Sequence, residues 1–230
     1  MNKVQHGFVA LSLLISSFGT QAQVETDSLL SASNNSTHVK FQNYFFEALK
    51  QKALENYSKA IDALVLCKSL NPTESVVYHE LGTNYFKLKQ FENSEFNFQK
   101  AIALDEGNFW YKESLYHLYI EQNRFEDAIL ALKPLLTQHP DYKQDLVNLY
   151  LEAGRYDDAL DVLDDLDKTL GIKASRDKIR NQLYDLSGDE NKRIHHLKKR
   201  LEETPEDATN FLNLIYAYSN LDQKKEAFET

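Results

Sequence analysis

One spacing constrains this chain more than any other feature. Tyr57-x-x-Ala60, Phe91-x-x-Ser94 and Phe125-x-x-Ala128 follow one another at intervals of 34 residues, and Tyr156-x-x-Ala159 comes 31 residues later. Arg193 and Ala227 continue the small-residue column at 34 and 34. A second column holds Pro72, Glu106, Pro140 and, further on, Pro205, each just past an apolar run where a helix should stop. A unit of this length holds two helices and little else. Such a pair cannot bury its apolar face alone, so successive pairs must stack and share one continuous core.

Between the columns the apolar residues recur at i, i+3, i+4 and i+7, the helical spacing. Only 7 Gly and 4 Pro occur in 230 residues, too few for the turns of an all-β fold. The segment Ser75–Asn108 reads Tyr78, Leu81, Gly82, Tyr85, then Lys89-Gln90-Phe91 at a turn, then Phe98, Ala101 and Leu104. It resembles a tetratricopeptide repeat, departing from that pattern with Ser94 for the usual Ala and Glu106 for the usual Pro. The copy at Phe41–Glu74 keeps Ala60, Leu64 and Pro72, with Cys67 in a small buried position. The copy at Phe109–Tyr142 keeps Leu115, Tyr119, Phe125, Ala128 and Pro140. The fourth copy is three residues short in its first helix. The fifth, about Ala174–Asp207, is degenerate, with Arg193 and Arg200 in the small columns. The sixth starts at Ala208 and is incomplete at Thr230. The resemblance implies an all-α, right-handed superhelical solenoid of about six helix-turn-helix repeats over 39–230. In it, first helices line a concave groove and second helices form the back. Pro134, inside a second helix, should free the carbonyl of Leu130 and bend that helix.

The N-terminus reads as an address. Lys3 precedes an apolar run, Gly7–Phe18, and Thr20-Gln21-Ala22 offers small residues at both ends of the triplet, as a cleavage site requires. This is the pattern of a secretory signal peptide, 1–22, cut before Gln23, since a dozen apolar residues are too few to span a bilayer. No cysteine near the cut could carry a lipid. Polar residues 23–38 are expected as a flexible leader. The sequence therefore predicts export, to a bacterial periplasm.

Motifs that carry chemistry are missing where they would be sought. His79-Glu80 opens like a zinc-protease helix, but residue 83 is Thr. His195 and His196 are consecutive and point apart on a helix. Asp185-x-Ser187-x-Asp189 lacks the Gly and the closing Glu of a calcium loop and fits a turn between helices. Cys67 shares a packing stripe with Ala60 and Leu64 and has no cation spaced to activate it. No catalytic residue, cofactor or metal is expected.

A net charge of −9 disfavours nucleic acid and anionic lipid as partners. Asp157, Asp158, Asp161, Asp164 and Asp165 share one helix face. The next second helix carries Lys192, Arg193, Lys198, Lys199 and Arg200, so acidic-to-basic complementarity between these two copies is expected. By the resemblance, residues facing the groove include Phe45, His79, Phe86, Trp110, Glu113 and His117. Aromatic side chains in a concavity are typical peptide anchors. Tetratricopeptide domains that grip a chaperone's terminal carboxylate use basic and Asn residues where this chain has Phe45, Leu49, Glu80, Trp110 and Ser114, so that ligand is disfavoured. The expected function is a non-catalytic scaffold or adaptor binding a peptide or helix of a cell-envelope partner. Two other readings stay open: the exported sensor region of a longer membrane signalling protein, and accessory repeats of an enzyme whose catalytic domain lies beyond residue 230.

Overall fold

In the computed structural model, which describes residues 35–221, every regular element is a helix. The first, α1, covers 35–53. Then come α2 (Tyr57–Leu70), α3 (Ser75–Lys87), α4 (Phe91–Leu104), α5 (Phe109–Glu121), α6 (Phe125–Leu132), α7 (Lys143–Glu152), α8 (Tyr156–Leu170), α9 (Ala174–Ser187), α10 (Glu190–Glu203) and α11 (Ala208–Asn220). Short 3-10 turns at Lys133–Thr137 and Pro140–Tyr142 join α6 to α7. The signal-peptide segment 1–22, most of the expected leader and Ala227 lie outside the described residues. Residue 35 is already helical, although 23–38 was expected as leader. Among the described residues no helix is long and apolar enough to cross a membrane.

The 34-residue beat is visible in the backbone itself. Glu55, Lys89, Asn123, Gly154 and Gly188 all have left-handed φ, between 55° and 70°. Each ends the first helix of a copy, and their spacing repeats the 34, 34, 31, 34 of the side-chain columns. After α3 the Gln90 N–H donates to the Tyr85 carbonyl and the Lys89 N–H to the Phe86 carbonyl. Arg124 to Tyr119 and Arg155 to Tyr150 repeat the longer bond. This is the Schellman closure, which satisfies carbonyls that a helix end leaves open. The guanidinium after the turn then lies over the ring five residues back: Arg124 is 4.5 Å from Tyr119 and Arg155 is 4.7 Å from Tyr150.

Burial follows the columns. Ala60, Ser94, Ala128, Ala159 and Arg193 are all buried, and so are Cys67, Ala101, Leu135, Leu166 and Arg200. Burial pushes the Cys67 thiol up to about 11, as a packing role requires. The fourth copy loses its three residues at the start of its first helix. Buried Leu115, Tyr116, Leu118 and Tyr119 of α5 correspond at +31 to buried Leu146, Val147, Leu149 and Tyr150 of α7, and a 3-10 turn replaces the missing helical turn. Pro134 does more than bend its helix: α6 stops at Leu132 and the chain continues as 3-10.

The chain divides into two units, 1–111 and 112–230, with the division inside α5. In unit 1, Ala48 of α1, Leu64 and Cys67 of α2, and Val77 and Leu81 of α3 form one cluster. Tyr78, Ala101 and Tyr111 form another. Lys52 of α1 pairs with Glu80 of α3 at 2.6 Å. Gly82 of α3 faces the ring of Phe98 on α4, and a Cβ there would sit 2.5 Å from Cδ1. Phe98 is itself buried, so the ring has nowhere to go. Gly82→Ala is expected to cost about 1–2 kcal/mol, the overpacking outweighing the gain in helix propensity. Urea unfolding checks the loss, and adding Phe98→Leu should recover most of it. In unit 2, Ile194 and Leu197 of α10 pack with Leu214, Ala217 and Tyr218 of α11.

Candidate functional site

The six residues expected to face a partner are distributed unevenly between packing and surface. In unit 1, Phe45 stacks on Phe41 at 6.0 Å and leans on the cluster of α1–α3. His79 of α3 stacks on Tyr111 at 4.8 Å and lies 5.5 Å from Phe98. Burial lowers its pKa, against the charge of Glu80, so the ring is neutral at pH 7. Phe86 packs on Phe91 at 6.1 Å across the turn between α3 and α4, with the Lys89 ammonium 6.0 Å above it. Trp110 differs from these: it is 65% exposed, edge-on to Phe109 at 5.3 Å. In unit 2, Glu113 accepts a hydrogen bond from the Tyr142 hydroxyl, which raises that tyrosine's pKa. His117 is exposed, with its ring 4.8 Å from Tyr116. Phe45, His79 and Phe86 thus help hold their helices together, Glu113 is engaged by a tyrosine, and Trp110 and His117 are exposed.

The residues weighed for metal or acid–base chemistry do not converge. His195 is exposed, whereas His196 turns toward Tyr184 at 6.2 Å. Burial, then Arg180 and Arg200, push His196 down to about 4. Asp185–Asp189 is the end of α9 and the turn into α10, and Asp189 caps α10 by accepting the Lys192 N–H at 3.0 Å. Among the described residues no group of three or more His, Cys, Asp or Glu could hold a metal ion.

The charged helices of unit 2 are more organised than their sequence indicates. Lys192 of α10 reaches Asp157 of α8 at 2.7 Å, the complementarity expected between copies four and five. Three of the other aspartates of that face find partners elsewhere, Asp158 with Arg155, Asp164 with Arg180 of α9 and Asp165 with Lys143 of α7, whereas Asp161 forms no ion pair with the described residues. Arg193 turns inward to Asp185 and Glu190 at 2.7 and 3.4 Å. The centre of the region is Asp167, a residue outside the expected face. It accepts from Arg176 at 2.6 Å, Arg180 at 3.0 Å and Arg200 at 2.7 Å. Arg180 also holds Asp164, and Arg200 also holds Asp177 at 2.8 Å. Burial alone would raise the Asp167 carboxyl. The Arg176 hydrogen bond and the three guanidinium charges outweigh it and hold the carboxyl below its usual 3.8.

The sequence carried a signal for this network. Arg180 stands 34 residues after Leu146, whose column is otherwise Leu81, Leu115 and Leu214. Arg176 stands in the column of Val77 and Tyr111. Four buried columns of the fifth copy are arginine, at 176, 180, 193 and 200. Read together, four arginines on core positions demand buried carboxylates among the neighbouring helices.

Comparison with known proteins agrees with this architecture. The family model described as tetratricopeptide repeat matches residues 76–108. No curated protein sequence matches the chain. Among solved structures, that of Naa15/Naa10 bound to HypK-THB is similar over 85% of this chain at 17% identity, with a TM-score of 0.65. A tetratricopeptide repeat protein from Parabacteroides merdae ATCC 43184 is similar over 83% of this chain and 77% of its own length, at 15% identity and a TM-score of 0.55. The chain spans 31% of the first of these and most of the second. Residues 76–108 match the tetratricopeptide repeat, and the described chain has the all-α fold of tetratricopeptide repeat proteins.

Proposed function

We propose that this chain is a non-catalytic adaptor, exported to a bacterial periplasm, that binds an extended segment or helix of a cell-envelope protein on its first-helix surface. The observation that carries this reading is Trp110. The chain's only tryptophan lies on a first helix and is 65% exposed, although an indole is among the costliest side chains to leave in water. Large aromatics of this kind dominate binding energy where partners meet. The repeats around it are fixed by turns and buried columns before any partner arrives, which limits the ordering cost of association. The address rests on the signal-peptide pattern of 1–22, and the partner is placed in the envelope because the address is.

A photo-crosslinking amino acid at position 110, with one at Leu130 as control, tests the reading in intact cells. Leu130 is 67% exposed but lies on a second helix, α6. We expect one envelope protein to be captured at 110 and not at 130, by a chain whose N-terminus is Gln23. Equal capture at both positions, or none at 110, would overturn the surface assignment. A chain retaining Met1 in the cytoplasm would overturn the address.

A further inference from the structure

We propose that the groove between α8 and α10 in unit 2 is a second docking site, one that takes an extended peptide segment in which basic and acidic side chains adjoin. The groove encloses about 870 Å³, within the size range of ligand sites. Its two walls are mostly of opposite charge: Asp157, Asp161 and Asp164 stand on α8 with one cation, Lys168, and Lys192 and Lys199 stand on α10 beside His195 with one carboxylate, Glu203. The walls are tied together at two places, by Lys192 to Asp157 and by Arg200 to Asp167. Asp161 on one wall and His195 and Lys199 on the other are exposed and form no ion pair or hydrogen bond with the described residues. Opposite charges therefore face each other across a gap that they do not close themselves.

An occupant that satisfies both walls must present a cation to Asp161 and an anion to Lys199. Nucleic acid or an anionic lipid surface would meet the aspartates, and a uniformly basic segment would meet Lys199 and Arg200. Adjoining Lys or Arg and Asp or Glu side chains on one extended backbone fit without repulsion. Arg180 and Arg200, both buried, form part of the groove's lining. Ile172, half exposed at the groove, offers an apolar contact beside the charges. This site does not depend on the Trp110 surface, so either reading can fail alone.

The test uses the full chain and three fluorescein-labelled octapeptides, alternating Lys-Glu, all-Lys and all-Glu, followed by anisotropy at low and at physiological ionic strength. The alternating peptide is expected to bind the wild type best, more weakly as salt rises. Asp161→Lys replaces the unpaired carboxylate of the α8 wall with a cation and should move the preference toward all-Glu by about five-fold. Lys199→Glu should move it by about as much toward all-Lys. The two variants are predicted to shift in opposite directions, which loss of folding cannot imitate. Equal binding of all three peptides to the wild type would overturn the proposal. So would unchanged preferences in both variants with helicity intact.

Discussion

Asp167→Asn is expected to lower the unfolding free energy of unit 2 by about 3 kcal/mol at neutral pH, at the low end of what breaking a buried ion pair costs. The substitution is nearly isosteric, so little of the loss comes from a cavity. It takes away the one carboxylate that three buried guanidiniums share and can turn an amide donor toward them. Arg180 keeps Asp164 and Arg200 keeps Asp177, which holds the effect below the sum of three separate pairs. Arg176 is left with the Gly171 carbonyl and no ion-pair carboxylate. The pH dependence has a fixed sign. The folded-state pKa of Asp167 lies below its usual 3.8, so its contribution is complete above that value. It is lost as pH falls further, through the folded-state pKa. The gap between wild type and variant in urea unfolding, followed by far-ultraviolet circular dichroism, should be widest near pH 7. It should close below pH 4. A gap that is constant across this window would mean that Asp167 acts by shape and not by charge.

The same residue shows what could be read from the sequence. The repeat length, the helix pairs and the shortened fourth copy follow from Ala60, Ser94, Ala128 and Ala159, because a column that must be small cannot drift without breaking helix contact. The turns at Gly154 and Gly188 were legible for the same reason, since glycine is the usual residue at left-handed φ. Glu55, Lys89 and Asn123 adopt that geometry without being glycine, and only their place in the beat marks them. Arg193 and Arg200 read as signs of decay because an arginine at a core position has no meaning until its carboxylate is known. That carboxylate lies on another copy, and no local pattern names it. The partner surface was the least legible part. A first-helix aromatic at the right spacing can either pack between helices, as His79 and Phe86 do, or face water, as Trp110 does. Spacing along one helix does not distinguish these fates; the side chains of the neighbouring helix decide them.

If the arginines are substitutes for an apolar core, then removing the whole network should cost far less than removing its centre. The other copies supply the template: Leu at the column of Arg180, Cys, Ala or Leu at that of Arg200, Val or Tyr at that of Arg176, and Ile102, Leu136 and Leu201 at that of Asp167, where the first copy alone is polar, with Lys68. The variant Asp167→Ile, Arg176→Val, Arg180→Leu, Arg200→Leu is expected to be at least as stable as the wild type within about 1 kcal/mol, hence about 2 kcal/mol or more above Asp167→Asn. Desolvating three guanidiniums and a carboxylate takes back most of what their attraction supplies, whereas leucine in a close-packed column faces no such opposing cost. Asp164 and Asp177 lose their arginines in this variant, but Asp164 is half exposed and Asp177 about one-fifth, so water can solvate both. Urea midpoints of the wild type, Asp167→Asn and the fourfold variant decide the matter. A fourfold variant as weak as Asp167→Asn would show that the fifth copy is built around its charges and cannot be returned to an ordinary repeat. A stable one would leave the arginines without a stability role, and the peptide titration of the same variant would then show whether they are kept for the groove they floor.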